Sequence, residues 1–533
     1  MARFDGFVHV AGGRLRDGAG RPLVLRGVGL GNWLLPEGYM WRFEPGGPLS
    51  PRAIEAFVDD LVGPRRAAEF WRGFRDRFIT EADIARIAAE GFDHVRLPLN
   101  ARVLQDQDTG AFLGDGFAMI DRTIAWCRSH GLWVVLDLHG APGGQTGTNI
   151  DDSPNGVPEL FSNETYAQLT VDLWREIAAR YRDETVVAAY DLLNEPLPND
   201  YQHTYADELV ALYRRLTVAI RAVDDRHVLM YEGTHWATNW DIFTEVWDAN
   251  SVLQCHKYWS PPDLASVQRY VDRGRELGLP VYMGETGENN VEWLQAACQL
   301  YDDCGMSWNL WPWKKIDTLT SPCSVNAPAG WDAIVAYARA AGPRPAPADA
   351  WRTLTELLEA FDVDACTYRP EVVNAVFRRA PLRLAAWAFG FRGANVSYAV
   401  APGTPLPGFR GDEPVTLRCA TLDERGSPTF AHTDGSPRTP AEEITVVLAP
   451  GDWVAYDVSL RAATQVLIEV RCARPVAASA ALRLLVDGID VAYTVDGDGA
   501  VCGTFEGAPG RHDIRVVAGA EPVELRRLEV GPT

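Results

Sequence analysis

Eight short apolar segments alternate with longer amphipathic segments between about residues 22 and 340, and this alternation constrains the fold more than any other feature. The eight strand-like segments are PLVLRGVGL (22–30), FDHVRLP (92–98), LWVVLDL (132–138), VVAAYDLL (186–193), HVLMYE (227–232), SVLQCHKY (251–258), PVYMGE (280–285) and MSWNLW (306–311). Segments such as EADIARIAAEG (81–91) have the apolar spacing of a helix. Eight strand–helix units in one stretch predict a (β/α)8 TIM barrel. The alternative, a doubly wound open sheet, is expected to carry a glycine-rich phosphate turn after its first strand, and none is visible.

The pattern changes after the barrel segment. GPRPAPAD (342–349) reads as a linker or bend, and AWRTLTELLEAFDV (350–363) as a helix. After about residue 382, short alternating runs such as TQVLIEVRCA and HDIRVVAG lie between Gly, Pro and Asp turns, which is typical of an antiparallel β-sandwich of the jelly-roll type. The sequence therefore predicts a barrel domain over 1–380 and a β-sandwich domain over 381–533.

Charge and composition limit the possible partners. The formal net charge of −22 argues against nucleic acid and against anionic lipid, whereas a neutral substrate such as a sugar fits. No run of 18 apolar residues predicts a membrane span. The N-terminal segment lacks a basic stretch followed by an apolar core, so we expect a cytoplasmic protein unless a leader has been removed. The oligomeric state stays open.

The nine cysteines show no CxxC pair, and therefore no zinc or redox motif. Free, mostly buried thiols are expected. No metal and no organic cofactor is predicted.

Polar and ionisable residues stand at the ends of the predicted strands, where barrel enzymes carry their functional groups. They are Arg96, His139, Asn194, Glu195, His256, Tyr258, Glu285 and Trp311. Singly, each has an ordinary explanation, because a strand-end Glu is more often a salt-bridge partner and a Trp more often part of the core. Their joint position favours one shared site.

Two glutamates on facing strands, Glu195 and Glu285, are the minimum equipment for glycoside hydrolysis. One carboxyl must hold a proton for the leaving oxygen, while the other must be ionised to attack the anomeric carbon. Arg96 is placed to favour the ionised form of Glu285, and Tyr258 to donate to it. Asn194 could bond a sugar 2-hydroxyl, and Trp311 offers a flat face for a pyranose ring.

The segment HWATNW (235–240) follows the fifth strand and is expected to line the same rim. His235 and Trp236 are candidate aglycone contacts, and loop packing explains them equally well. Gln145 is a candidate for reaching the sugar.

This set of residues resembles glycoside hydrolase family 5 over about residues 8–340. The eight signature positions of the family match Arg96, His139, Asn194, Glu195, His256, Tyr258, Glu285 and Trp311. The resemblance implies a retaining mechanism with Glu195 as acid/base and Glu285 as nucleophile, with carboxyl groups roughly 5–5.5 Å apart. It implies no metal or organic cofactor.

A narrower resemblance concerns the substrate. LRGVGLGNWLLPEGY (25–39) and DLHGAPGGQTG (137–147) are similar to segments of fungal exo-β-1,3-glucanases of this family, in which the glutamate matched by Glu37 holds hydroxyls of the terminal glucose. This implies exo action on β-glucosides or β-glucan oligosaccharides. GETGENN (284–290), however, lacks the tryptophan that follows the nucleophile in those enzymes. The aromatic insertion 40–79 is not theirs either, and it either roofs the aglycone side or packs as two structural helices.

Two alternatives stay open for the activity. The same chemistry could act on another β-glycoside, such as a β-mannoside, a β-galactoside, a glycolipid or a plant glycoside with a hydrophobic aglycone. The second alternative is a catalytically dead barrel that binds sugar.

The tail resembles a family 6 carbohydrate-binding module through GDWVAYDV (451–458) and LRLLVDG (482–488). DGDGAVCGTF (496–505) lacks the tryptophan with which such modules stack their ligand. Sugar binding and a purely stabilising role both stay open for this domain.

Overall fold

The computed structural model describes residues 3–424, 426–475 and 482–533. The chain forms two compact units. The first contains the chain up to Lys257 together with 272–286 and 307–368, and the second contains 258–271, 287–306 and the chain from Arg369 onward. The domain boundary predicted between residues 380 and 381 stays a prediction.

The first unit is built on a closed barrel of eight parallel strands, which confirms the predicted TIM barrel. A short antiparallel hairpin, β1 (His9–Ala11) and β2 (Arg14–Arg16), precedes it. The barrel strands are β3 (Arg26–Gly29), β4 (His94–Asn100), β5 (Trp133–Gly140), β6 (Val187–Asp191), β7 (Val228–Glu232), β8 (Ser251–Lys257), β9 (Val281–Gly287) and β10 (Ser307–Trp311). All eight overlap the eight predicted segments.

The helices up to residue 360 are α1 (Pro51–Val62), α2 (Pro64–Arg77), α3 (Glu81–Glu90), α4 (Ala101–Leu104), α5 (Gly114–His130), α6 (Glu164–Tyr181), α7 (Ala206–Arg221), α8 (Leu264–Leu277), α9 (Val291–Asp303), α10 (Trp331–Ala338) and α11 (Pro347–Ala360). Helix α11 begins inside the predicted linker, because Pro347 occupies the first helical turn, where its missing N–H costs nothing. In the described part of the chain, no helix combines the length and the apolar character that a bilayer span requires.

The aromatic insertion 40–79 forms α1 and α2, and its rings are buried. The ring centroid of Trp41 lies 5.9 Å from Trp71, 5.2 Å from Phe74, 6.0 Å from Trp331 and 6.4 Å from Phe361. Burial of such rings stabilises the fold by dispersion and by release of water. The insertion is therefore a second apolar core, and of the two predicted alternatives the structural packing of two helices is correct.

A small sheet of β11 (Lys314–Ile316), β12 (Cys323–Val325) and β13 (Thr367–Tyr368) completes the first unit. The nine cysteines all lie in described residues and carry free thiols, four of them buried.

The second unit contains helix α12 (Pro370–Phe377) and two antiparallel sheets, which confirms the predicted β-sandwich. Its strands are β14 (Leu382–Ala385), β15 (Tyr398–Ala399), β16 (Thr416–Cys419), β17 (Ile444–Leu448), β18 (Trp453–Leu460), β19 (Thr464–Cys472), β20 (Leu482–Val486), β21 (Ile489–Val491), β22 (Tyr493–Val495), β23 (Val501–Gly507), β24 (Gly510–Ala518) and β25 (Val523–Pro532). One sheet has the order β16-β17-β25-β19-β23-β22 with β14 against β25, and the other β15-β18-β24-β20-β21.

Candidate active site

The barrel brings most of the predicted site residues to the carboxyl ends of its strands. Arg96 lies on β4, His139 on β5, His256 on β8, Glu285 on β9 and Trp311 on β10, while Asn194 and Glu195 follow β6 and Glu37 follows β3. All of these belong to the first compact unit. Tyr258 directly follows β8, is half-buried, and stacks on Trp259 with ring centroids 5.9 Å apart. Its bond to Glu285 stays a prediction.

The guanidinium of Arg96 is fully buried at the centre of the site. It donates to Glu285 Oε1 at 2.5 Å, Asp191 Oδ2 at 2.8 Å, Asn194 Oδ1 at 2.8 Å and Glu232 Oε1 at 3.2 Å, and lies 3.2 Å from Asp137 Oδ1. Burial alone would lower the pKa of Arg96, but its four carboxylate neighbours raise that pKa well above its usual value. A fixed positive charge therefore favours the ionised form of Glu285.

Asp191 is one of the four carboxyl groups around Arg96. Burial raises the pKa of Asp191 to about 8, against the opposing effect of Arg96. The Oδ2 atom of Asp191 accepts a hydrogen bond from Gln254 Nε2 at 2.9 Å as well as the one from Arg96.

Glu195 lies in the opposite environment to Glu285. Burial raises the pKa of Glu195, His256 opposes this rise, and the charges of Glu285 and Glu232 support it. His256 Nδ1 lies 2.7 Å from Glu195 Oε1 and 3.8 Å from Glu285 Oε2. One carboxyl is thus biased toward the acid and the other toward the anion, as an acid and a nucleophile require.

His256 lies among three carboxyl groups, those of Glu195, Glu232 and Glu285. Burial would lower its pKa, but Glu232, Glu285 and the hydrogen bond to Glu195 raise that pKa well above its usual value. A carboxylate oxygen of Glu195, a ring nitrogen of His256 and a carboxylate oxygen of Glu285 all lie within 4.8 Å of one another, close enough for a shared cation.

One carboxylate oxygen of Glu195 and one of Glu285 therefore lie within 4.8 Å of each other. Inverting glycosidases separate their carboxyl groups by about 6.5–9.5 Å to fit a water, whereas retaining enzymes need about 5–5.5 Å. This close approach resembles the retaining arrangement more than the inverting one.

The backbone at Glu195 is strained. Its φ is +45° and that of Leu197 is +59°, in the left-handed region that side chains disfavour. Glu232 Oε2 accepts the N–H of Glu195 at 2.7 Å, and Gln145 O accepts the N–H of Leu197 at 3.1 Å. The Gln145 amide also donates to the carbonyl of Asn194 at 3.0 Å. Gln145, predicted to reach the sugar, is fully buried and instead supports this loop, because its amide is bonded to backbone groups.

His139 is oriented by its neighbours. Its Nδ1 lies 2.7 Å from Asp137 Oδ2, and its Nε2 lies 3.2 Å from Asn194 Nδ2 and 4.0 Å from Glu37 Oε1. With Asp137 accepting from Nδ1, the Nε2 atom can accept from the Asn194 amide, so this ring fixes how Asn194 is turned. Glu37 is buried and lies near His139 in the same site.

Trp311 is packed within the rim and only 2% exposed. Its ring stacks on His139 with centroids 5.3 Å apart and an interplanar angle of 9°, and its Nε1 donates to Tyr39 Oη at 2.9 Å. A Cβ placed on Gly29 or Gly31 would collide with the indole, so both positions require glycine. The role of Trp311 as a sugar platform stays a prediction.

His235 and Trp236 lie in a left-handed turn with φ of +53° and +51°. The N–H of His235 donates to the carbonyl of Leu197 at 2.8 Å, which ties this turn to the loop of Glu195. Both residues are half-buried. Loop packing is thus observed for His235, and contact with an aglycone stays a prediction.

Sequence reasoning missed three members of this site, Glu232, Asp191 and Gln254. Glu232 is the last residue of β7 and Asp191 the last of β6, so the strand-end rule that found the two catalytic candidates also applies to them. Gln254 precedes His256 by two residues and therefore shares its face of β8, where its amide donates to Glu232.

The family described as Cellulase (glycosyl hydrolase family 5) matches residues 62–317. A β-xylosidase of Phanerodontia chrysosporium is 30% identical over 348 residues, which cover 58% of this chain and 71% of the relative. A probable glucan 1,3-β-glucosidase A of Neosartorya fischeri is 30% identical over 246 residues, covering 44% of this chain and 56% of the relative. Endoglucanase C of Acetivibrio thermocellus is 37% identical over 162 residues, covering 30% of this chain and 44% of the relative.

Among solved structures, an endogalactoceramidase matches over 96% of this chain and 99% of its own, at 16% identity and a TM-score of 0.48. The family match covers the segment from α1 to the strand β11, which carries both glutamates and their neighbours on the barrel rim. This family match, together with the β-xylosidase of which 71% is covered, identifies the family of the chain. The chain belongs to glycosyl hydrolase family 5.

Proposed function

We propose that this chain is a retaining, exo-acting β-glycosidase that cleaves β-glucosides or β-glucan oligosaccharides by double displacement. One observation carries the proposal. Two buried carboxyls lie within 4.8 Å of each other in opposite electrostatic environments, Glu285 against Arg96 and Glu195 with a raised pKa.

In the first step, the Glu285 carboxylate attacks the anomeric carbon. A bond forms between Glu285 and this carbon while the glycosidic bond breaks, and Glu195 gives its proton to the departing oxygen. Arg96 keeps Glu285 ionised before the attack, and its charge is already desolvated and in position.

In the second step, water attacks the same carbon from the side that the aglycone has left. Glu195, now a carboxylate, takes the proton from this water, and the bond to Glu285 breaks. His256, as an imidazolium 2.7 Å from Glu195, stabilises the carboxylate form that exists between the two steps. Two displacements at one carbon return the original β configuration.

Preference for a terminal glucose is supported by Glu37. This buried carboxyl lies 4.0 Å from His139 Nε2, on the same rim as the two glutamates. A carboxylate in a glycone pocket accepts two sugar hydroxyls and ends the binding site on that side. The names of the relatives span a xylosidase, a glucosidase and an endoglucanase, so the substrate belongs to the proposal.

A second candidate is the same chemistry on another β-glycoside. A β-xylosidase is among the relatives of this chain, at 30% identity and with 71% of that relative spanned, and this favours the second candidate.

The experiment is covalent trapping with 2,4-dinitrophenyl 2-deoxy-2-fluoro-β-glucoside. We expect time-dependent inactivation and one added fluoroglucosyl group on the peptide that contains Glu285, with the Glu285→Ala variant unlabelled. A label on another carboxyl would contradict the assignment. Failure to hydrolyse any aryl β-glycoside would support the dead-barrel alternative.

Product analysis separates the candidates. If the enzyme is exo-acting, laminari-oligosaccharides should release glucose from the first minutes. The oligosaccharides of intermediate length that cleavage of internal bonds would produce should not appear. A panel of aryl β-glucoside, β-xyloside, β-mannoside and β-galactoside tests the second candidate. A higher kcat/KM for one of the other glycosides than for the glucoside would favour it, and turnover of the glucoside alone would exclude it.

A further inference from the structure

Strand β25 of the second unit carries a β-bulge at Arg526. Arg527 pairs with Arg471 of β19, but the next pair joins Leu525 to Cys472, which leaves Arg526 as an extra residue. Leu525 and Leu528 on either side are buried, whereas both arginines are half-buried. In a regular strand, consecutive side chains point to opposite faces. The bulge instead puts two consecutive arginines on the outer face of one sheet.

A cavity of about 150 Å³ opens over this face, within the second unit. Six charged residues line it: Arg383, Arg438, Arg526, Arg527, Glu292 and Glu443. Arg383 lies on β14, where its neighbour Ala385 pairs with Arg527, so Arg383 stands on the same outer face two residues along. Four arginines from three separate chain segments thus meet around one small space.

The charges around this cavity do not cancel. Four arginines and two glutamates leave a balance of +2, in a chain whose formal net charge is −22. Arg526 donates to Glu443 at 2.6 Å, and Arg527 to Glu529, outside the lining, at 2.9 Å. Among the described residues, Arg383 has no carboxylate within ion-pair distance. Like charges held together in a concavity favour an anion.

Arg438 is built into the wall of the cavity. Its side chain is only 4% exposed and its guanidinium lies 4.5 Å over the ring of Phe430. Its Nη2 donates to the Thr429 carbonyl at 2.5 Å, and its Nη1 to the Glu442 carbonyl at 3.3 Å. Its Nε lies 3.8 Å from Glu292, beyond hydrogen-bond distance. The guanidinium is therefore fixed before any ligand arrives, which reduces the entropy lost on binding.

The size of the cavity limits the ligand. A cavity needs about 10–15 Å³ of this kind of space for one water, so about 150 Å³ accommodates an ion of five heavy atoms such as phosphate or sulfate. Arginine forks also match oxyanions with paired hydrogen bonds, and the lining carries four arginines against two glutamates.

We propose that this arginine-lined cavity of the second unit binds a tetrahedral dianionic oxyanion, phosphate or sulfate, either as the free ion or as the ester group of a larger ligand. The site is separate from the two catalytic glutamates and does not depend on the proposed glycosidase activity. It also differs from the sugar-stacking surface that the resemblance to a carbohydrate-binding module implies.

The test is calorimetric titration of the full chain with sodium phosphate and sodium sulfate, against sodium chloride of matched ionic strength. We expect saturable binding of the two dianions alone. Arg383→Gln and Arg526→Gln are each expected to weaken binding at least tenfold. Arg418→Gln is the matched control, because Arg418 is an exposed arginine of the same sheet that pairs with Glu524 at 3.2 Å, and it should leave the affinity unchanged.

A gain-of-affinity variant keeps the test independent of folding defects. Glu292→Gln removes one carboxylate from the lining and should tighten dianion binding several-fold. Glucose 6-phosphate and glucose 6-sulfate identify the source, since tighter binding than the free ions assigns an ester ligand and weaker binding the free ion. Absence of saturable binding, or unchanged affinity in Arg383→Gln, Arg526→Gln and Glu292→Gln, would overturn the proposal.

Discussion

Glu232 Oε2 accepts the backbone N–H of Glu195 at 2.7 Å, and so one buried carboxylate supports the backbone of another. The other oxygen of Glu232 lies 3.2 Å from Arg96 Nη2 and 3.4 Å from His256 Nε2. Glu232 thereby links Glu195, Arg96 and His256. In the proposed mechanism it is a positioning residue, because it would act on the reaction through Glu195.

Replacement of Glu232 should therefore lower kcat with little change in KM. Glu232→Ala removes both the hydrogen bond to Glu195 and the charge beside His256, and a small displacement of a catalytic group costs about 10²-fold in rate. Glu232→Gln keeps an oxygen that can accept the Glu195 N–H, and should retain more activity than the alanine variant.

The leaving group distinguishes this role from a structural one. If Glu232 acts through the acid, dinitrophenyl glycosides, which need no proton, should lose less activity than alkyl glycosides. Equal loss on both substrates would assign Glu232 to general stability. Glu245→Ala, which removes an exposed carboxylate, serves as the control.

Glu195→Ala should abolish the cleavage of alkyl β-glucosides and retain measurable turnover of dinitrophenyl β-glucosides. The reason is that the activated leaving group departs without a proton, while the second step still needs a base. Azide, which needs no base, should restore turnover of the activated substrate. The product to be identified by NMR is the β-glycosyl azide, and an α-azide would contradict retention.

The pH profile should reflect the environment of Glu195. Activity requires its protonated form, and burial raises its pKa. Because the folded pKa lies above the ordinary glutamate value, activity should persist above that value and fall as the pH rises through the raised pKa. The alkaline limb of kcat/KM should therefore be present for an alkyl β-glucoside and absent for a dinitrophenyl β-glucoside, whose leaving group departs without a proton. A limb at the same pH for both substrates would assign it to another group.

Arg96→Met should destabilise the protein. The substitution leaves the buried carboxyls of Asp137, Asp191, Glu232 and Glu285 without their shared cation, and removing one partner of a buried ion pair costs about 3–5 kcal/mol. Urea unfolding at neutral pH measures this loss of free energy of unfolding. The deficit should shrink as the pH falls, because protonation removes the uncompensated charges; a deficit independent of pH would point to packing instead.

Glu37→Ala should lower kcat/KM for β-glucosides by about 10- to 100-fold, since hydrogen bonds to charged groups contribute about 1.5–3 kcal/mol. Glu44→Gln is the control, because Glu44 is an exposed carboxyl of the same loop. A selective loss on glucosides, with xylosides less affected, would identify the hydroxymethyl side of the sugar as its contact. An unchanged kcat/KM would remove Glu37 from the glycone pocket.

The barrel was predictable because each strand carries its own apolar pattern and its own polar end. Glu195 and Glu285 stand out in this pattern without any knowledge of the fold. Glu232 and Asp191 obey the same rule, yet an isolated acidic residue at a strand end has too many ordinary explanations. Only closure of the barrel, which brings both to Arg96, distinguishes them from surface residues.

Other features depend on partners that are distant in sequence. The aromatic residues of the insertion 40–79 would look the same over an aglycone or in a core, and the outcome depends on Trp331 and Phe361 far along the chain. Arg526 and Arg527 of β25 are a second example of such a feature. The dipeptide Arg-Arg alone does not show that a bulge turns both side chains outward.

The left-handed φ of +45° at Glu195 gives this position the backbone geometry that glycine adopts most easily. Glu195→Gly should accordingly be more stable than Glu195→Ala by about 1 kcal/mol, although both variants lack the same carboxyl. Thermal unfolding of the pair measures that difference directly. Stability alone would thus select a glycine where the proposed mechanism requires an acid, so any engineering for heat resistance that ignores function would start by removing the proposed acid/base.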